Sequence, residues 1–137
     1  HALESVRTWQ GITFVNDSKG TNVDATLKAL ESFEEPVVLI LGGKDKGGEF
    51  TRLLEAIHRG VKVIVLIGEA ANRILDALEG SVPMVCATSL EDAVSQAVSL
   101  ASSGDVVLFS PACASFDMFQ NYHQRGLEFK RVVRELQ

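Results

Sequence analysis

Apolar residues along this chain come in short blocks separated by segments with a helical beat, and the alternation runs from one end to the other. The blocks Ile12–Asn16, Val37–Leu41, Val61–Ile67, Pro83–Cys86 and Asp105–Ser110 are mostly continuous apolar runs instead of alternating ones. Strands covered on both faces have this pattern, because each side-chain row meets a packed layer. Between the blocks, Phe50, Leu53, Leu54 and Ile57 repeat at helical spacing, as do Ala71, Ile74, Leu75 and Leu78. So do Leu90, Ala93, Val94, Ala97 and Val98, while Val23, Leu27, Leu30 and Phe33 line an earlier helix. Phe129, Val132, Val133 and Leu136 fall on one face of a last helix over about Gln124–Leu136. Ser89 with Asp92, and Thr21 with Asp24, read as capping boxes at two helix starts. The opening stretch Leu3–Trp9 is a short segment ended by a turn at Gln10-Gly11. Strand–helix repetition builds right-handed crossovers, so the pattern predicts one α/β, Rossmann-like domain. Its mostly parallel sheet has roughly five to six strands with helices on both faces. At 137 residues there is room for one such core, and no repeat or linker divides it.

In an open parallel sheet, ligands sit beyond the carboxyl ends of the strands. That edge carries Asn16-Asp17-Ser18-Lys19-Gly20-Thr21-Asn22, then Gly42-Gly43-Lys44-Asp45-Lys46-Gly47-Gly48, then Gly68-Glu69, then Ser110-Pro111-Ala112-Cys113-Ala114-Ser115. A carboxylate, a hydroxyl and a lysine in three consecutive residues suit an anionic ligand at a helix start, where unpaired N–H groups already favour negative charge. An ordinary capped turn explains the same run without a ligand. The glycines at 42, 43, 47 and 48 permit close approach of backbone to ligand, or simply make a flexible turn with solvated lysines. The loop is neither a Walker A loop nor a Gly-x-Gly-x-x-Gly fingerprint.

The net charge of −5 argues against a general nucleic-acid binder, and it sets off Lys19, Lys44 and Lys46 against an acidic background. The apolar runs are too short to cross a bilayer, and no signal-peptide pattern opens the chain. Opening at His1 without Met reads as a piece of a longer protein. Cys86 and Cys113 lack metal-ligand spacing and suit reduced cytosolic thiols, and the three histidines form no cluster. Cys113 has no neighbouring base to make it a nucleophile, so a small buried thiol packing the turn is the expectation. Phe116, Phe119 and Tyr122 read as packing residues for the last helix.

Three sets of residues together carry a resemblance. They are Asn16-Asp17-Ser18-Lys19-x-Thr21-Asn22, the Gly42-Gly43 loop with Lys46, and Ser110-Pro111-Ala112-Cys113-Ala114-Ser115-Phe116-Asp117-x-Phe119 followed by Arg125-Gly126-x-x-Phe129. In order and spacing, over essentially the whole chain, they resemble the C-terminal domain of the Mur ligase family, in its D-glutamate-adding branch. Asp17-Ser18-Lys19 selects the branch, since the sister ligases and folylpolyglutamate synthase have other residues there. The resemblance implies a cytoplasmic, monomeric three-domain enzyme of peptidoglycan synthesis that uses ATP and Mg2+. Its substrates would be D-glutamate and UDP-N-acetylmuramoyl-L-alanine, with no nucleic-acid or membrane partner. The substrate carboxylate becomes an acyl phosphate, the amine of D-glutamate attacks it, and a tetrahedral intermediate collapses to amide and phosphate. Residues 1–137 would be the C-terminal, D-glutamate-binding domain, with the UDP-binding domain and the P-loop domain lying outside the chain.

Carried over by position, Asn16, Asp17 and Lys19 would face the nucleotide, Lys19 serving catalysis at the transferring phosphoryl group. Thr21, Lys46, Ser115, Phe116 and Tyr122 would position D-glutamate, and no metal would be held by this domain. Two departures stand out: Ala2 where the family usually has an arginine contacting nucleotide, and Tyr122 where phenylalanine is common. Two rivals remain beside the resemblance. A free-standing nucleotide- or CoA-binding module would want a glycine fingerprint after the first strand. A phosphoacceptor receiver would want clustered acids at the strand ends.

Overall fold

The computed structural model describes residues 3–115 and 119–137. Its strands are β1 (Glu4–Trp9), β2 (Ile12–Asn16), β3 (Val37–Gly42), β4 (Val61–Ile67), β5 (Met84–Cys86) and β6 (Val106–Phe109). The helices are α1 (Val23–Leu30), α2 (Leu54–Gly60), α3 (Ala71–Ala77), α4 (Leu90–Leu100) and α5 (Tyr122–Arg134), with a 3-10 turn at Phe50–Leu53 leading into α2. The strands form one six-stranded sheet in the order β1-β2-β6-β3-β4-β5. All neighbouring pairs are parallel except β1 with β2. The α/β class, the parallel sheet and helices on both faces are as the apolar pattern requires.

Alternate residues of each central strand feed two cores. Leu39, Leu41, Ile64, Leu66 and Leu108 pack under α1, α2 and α3 through Leu30, Phe50, Leu53, Ile57 and Ile74. On the other face, Val38, Ile40, Val63, Val65, Val107 and Phe109 meet α4 and α5 through Val94, Ala97, Phe129 and Val133. This is why the strands are apolar at nearly every position.

The opening segment is where the sequence expectation falls short. Leu3–Trp9 is mostly an antiparallel edge strand, joined to β2 by a two-residue turn whose central residues Gln10 and Gly11 both have positive φ, +51° and +80°. That is the geometry matching the twist of paired strands. Alternation in Glu4–Trp9 is weak because an edge strand buries little, and its ladder is broken by a bulge between Ser5 and Arg7. Arg7 gives the strand a second function: its Nη1 donates to the carbonyls of Val133, Arg134 and Leu136, closing the C-terminal end of α5. No helix among the described residues is long and apolar enough to cross a membrane.

β6 is last in the chain but lies between β2 and β3. The loops after β2, β3 and β6 therefore meet at one point on the rim, where the winding of the sheet reverses and a crevice forms.

Candidate functional site

The loop after β2 is shaped by its own side chains. Asn16 Oδ1 accepts from the Ser18 backbone N–H at 3.1 Å, and its Nδ2 donates to Glu4 at 3.2 Å. Asn16 thus acts first as a turn former. Asp17 is 2% exposed, and its Oδ2 accepts from Ser110 Oγ at 2.7 Å. Ser110 Oγ also shares a 3.0 Å hydrogen bond with Thr26 Oγ1. Burial pushes the Asp17 carboxyl above the usual carboxylate range, opposed by the Ser110 hydrogen bond and by the charge of Arg125. Lys19 follows and is exposed.

The expected capping box at Thr21 is displaced by one residue. Asn22 is the N-cap of α1, its Oδ1 accepting from Ala25 N–H at 2.9 Å. Asp24 pairs instead with Arg52. An amide one position downstream does for the Ala25 N–H what a threonine hydroxyl at 21 would have done for the Asp24 N–H. Thr21 is consequently an exposed residue facing the rim rather than the cap. At Ser89 the cap is as expected, with Ser89 Oγ accepting from Asp92 N–H at 3.0 Å.

Backbone bonds lash the three loops together. Lys44 N–H donates to Ala114 O at 2.8 Å and Ala114 N–H returns a bond to Lys44 O at 3.1 Å. Ala112 N–H reaches Gly20 O at 2.7 Å. The approach at Gly43 is close enough that a Cβ there would sit 2.4 Å from Ala114 O, and its φ of +141° is one that side-chain-bearing residues avoid. Ala112 itself sits at φ +61°, a strained conformation of order 1–3 kcal/mol, held by the bonds around it.

Two clefts result. One, of about 200 Å3, is lined by Asn16, Asp17, Lys19, Tyr122, His123 and Lys130 among others. The second, of about 290 Å3, is lined by Thr21, Lys46, Gly47 and Ala112–Ala114 among others, with Lys46 exposed on its loop. The rim thus brings Asn16, Asp17 and Lys19 together on one side, and Thr21 and Lys46 on the other. Ser115 is 3% exposed and follows Ala114 without lining either cleft. Tyr122 is 44% exposed in the first cleft, so it does not pack the helix as its aromatic spacing suggested. As the first residue of α5 it lies outside the buried stripe of that helix. Phe119 does pack against the core. Cys113 is 2% exposed within the core, as its surroundings in sequence suggested. Phe116 and Ala2 lie outside the described residues.

A family model described as Mur ligase, glutamate ligase domain, matches residues 3–113. The chain belongs to this Mur ligase family. It is 52% identical over 136 residues to proteins named UDP-N-acetylmuramoylalanine–D-glutamate ligase from Geotalea uraniireducens and from Koribacter versatilis. Each match takes in 99% of this chain and 30% of the relative, so the chain spans under a third of the length of those proteins. A murein peptide ligase from Psychrobacter arcticus shares the fold, with a TM-score of 0.60 at 14% identity, covering 93% of this chain and 29% of that one.

One residue of this Mur ligase domain has a role at the rim that its place in the sequence does not reveal. Arg125, in the first turns of α5, is 1% exposed. Its Nη1 donates to Cys113 O at 2.9 Å and its Nη2 to Ser18 O at 2.8 Å, so a single guanidinium joins the loops after β2 and β6. A Cβ on Gly126 would come 2.4 Å from Ser18 Oγ, so glycine is what lets α5 approach that loop. The available signal was a charged residue followed by glycine inside an amphipathic helix. ATP and Mg2+ fit these residues unequally. Lys19 in the first cleft suits a phosphate edge, while the buried, hydrogen-bonded Asp17 carboxylate presents little surface to a ligand. Among the described residues no group of three His, Cys, Asp or Glu side chains is placed to hold a metal ion.

Proposed function

We propose that this chain is the C-terminal domain of an ATP-dependent ligase that adds D-glutamate to UDP-N-acetylmuramoyl-L-alanine. The supporting observation is the paired clefts on one rim, each with an exposed lysine: Lys19 in one and Lys46 in the other. D-glutamate offers two carboxylates and an amine. Lys46 and the Thr21 hydroxyl in the second cleft are suitable receptors for a carboxylate, since charge-assisted contacts are the strong ones. Ser115, next in the chain after Ala114 of that cleft, belongs to the same reading, whereas Tyr122 lines the first cleft beside Lys19 and would reach D-glutamate from there. Lys19 faces the other way, toward the nucleotide. ATP supplies the phosphoryl group that activates the substrate carboxylate. The work of Lys19 is to stabilise the charge that shifts onto phosphoryl oxygens during transfer.

This domain carries no P-loop sequence, so the phosphates and Mg2+ are held chiefly by a domain outside the chain, in a cytoplasmic, monomeric enzyme. The experiment is amino-acid selectivity of the full-length ligase, with ATP and the UDP-sugar acceptor. D-glutamate should give product and inorganic phosphate. L-alanine, meso-diaminopimelate and lysine should give none above background, and the isolated 137-residue chain should turn over nothing. Product with one of those amino acids but not with D-glutamate would move the domain to a sister branch.

A further inference from the structure

Lys46 lies in a loop with glycines on both sides, yet that loop is anchored through the residue before it. Asp45 Oδ1 accepts the backbone N–H of Gly47 at 2.9 Å and of Gly48 at 3.2 Å, so one carboxylate oxygen closes a turn around Lys46. The other oxygen pairs with Arg73 Nη1 at 2.8 Å. Arg73 is on α3, and its guanidinium carbon lies 5.1 Å above the ring of Phe50, a core residue 2% exposed. The start of α3 is tied to the same loop, Ala70 N–H donating to Gly43 O at 2.9 Å.

We propose that the Asp45–Arg73 pair is a positioning device that fixes Lys46 for the amino-acid substrate, a proposal that rests on Lys46 receiving a substrate carboxylate. Arg73 is half exposed, and a surface ion pair of this kind contributes little to global stability. Its effect is local. Oδ1 alone would close the turn, but the Arg73 contact adds a side-chain tie from Asp45 to α3 and, through Phe50, to the core. The backbone bonds at Gly43 and Lys44 hold the start of the loop, so without the Arg73 tie it is the Lys46–Gly48 stretch that samples more arrangements, which substrate binding must then order. That ordering is required equally in the ground and transition states, so its loss raises the Michaelis constant and leaves turnover alone.

The test uses the full-length ligase with Asp45→Asn, Arg73→Gln and both together. Asparagine keeps an oxygen to close the turn but loses the charge. D-glutamate and ATP are varied separately, and melting temperatures are recorded. The expected result is a rise of about fivefold in the D-glutamate KM for each single variant and no further rise in the double. Turnover and the KM for ATP stay within about twofold, and Arg73→Lys recovers most of the effect. An unchanged D-glutamate KM in both single variants, while Lys46→Ala raises it, overturns the positioning role and leaves the site standing. Parallel losses in all kinetic constants with a lowered melting temperature also overturn it, because they mark a merely structural contact. If Lys46→Ala is itself silent, the reading beneath the proposal fails and the proposal with it.

Discussion

Replacing Arg125 by alanine is expected to lower the melting temperature of the domain by more than about 10 °C. The side chain is among the largest that are fully buried, and its two terminal nitrogens serve the carbonyls of Ser18 and Cys113. Truncation leaves both acceptors in a buried place without their donor, removes a positive charge that favours ionised Asp17, and opens a void beside Phe109. Breaking a buried charged network in this way costs about 3–5 kcal/mol, several times the worth of an exposed ion pair. Arg125→Lys keeps the charge but lacks the planar fork that reaches two carbonyls at once, so it should fall between the two. Calorimetry on wild type and both variants decides the matter. A shift below about 2 °C for the alanine variant would mean the guanidinium is not what joins the two loops.

The second large effect separates the two clefts. Lys19→Ala should chiefly lower turnover, because charge on the phosphoryl group is redistributed only during reaction. Lys46→Ala should chiefly raise the D-glutamate KM, because the carboxylate it meets is charged in ground and transition states alike. A lost charge-assisted contact of about 2–3 kcal/mol corresponds to roughly thirty- to over a hundredfold in either constant. Lysines that are merely solvated loop residues predict changes within about twofold in both.

Most of this architecture was legible because burial on two faces writes itself into the strands. Val38 and Leu39, adjacent in sequence, enter opposite cores, and a run such as Val37–Leu41 has no polar position to spare. Glu4–Trp9 was not legible as a strand, since an edge strand with a bulge and one exposed side leaves no clean period. Helix starts were readable only to within a residue or two. Asn22 and Asn121 cap α1 and α5, and the polar run around each offered several side chains that could have done so.

At the rim, the residues of chemical interest stood out by type, but their roles depend on partners far away in sequence. Asp17 stands out as a nucleotide contact by type, but its buried hydrogen bond with Ser110, 93 residues on, is a pairing that its local sequence does not show. Thr21 looks like a cap until Asn22 does that job. Arg125 looks like one more charge on a helix until the fold closes α5 over Ser18 and Cys113. Side-chain identity is local information, whereas burial and pairing are settled by the crossing of β6 between β2 and β3.

The most direct test of the rim as the D-glutamate site is steady-state kinetics of Lys46→Ala in the full-length ligase, with D-glutamate varied at saturating ATP and then ATP varied at saturating D-glutamate. The expected result is a D-glutamate KM raised about thirtyfold or more, with turnover and the KM for ATP within about threefold of wild type. A D-glutamate KM within about twofold of wild type would contradict it, and would remove Lys46 and the second cleft from the substrate site.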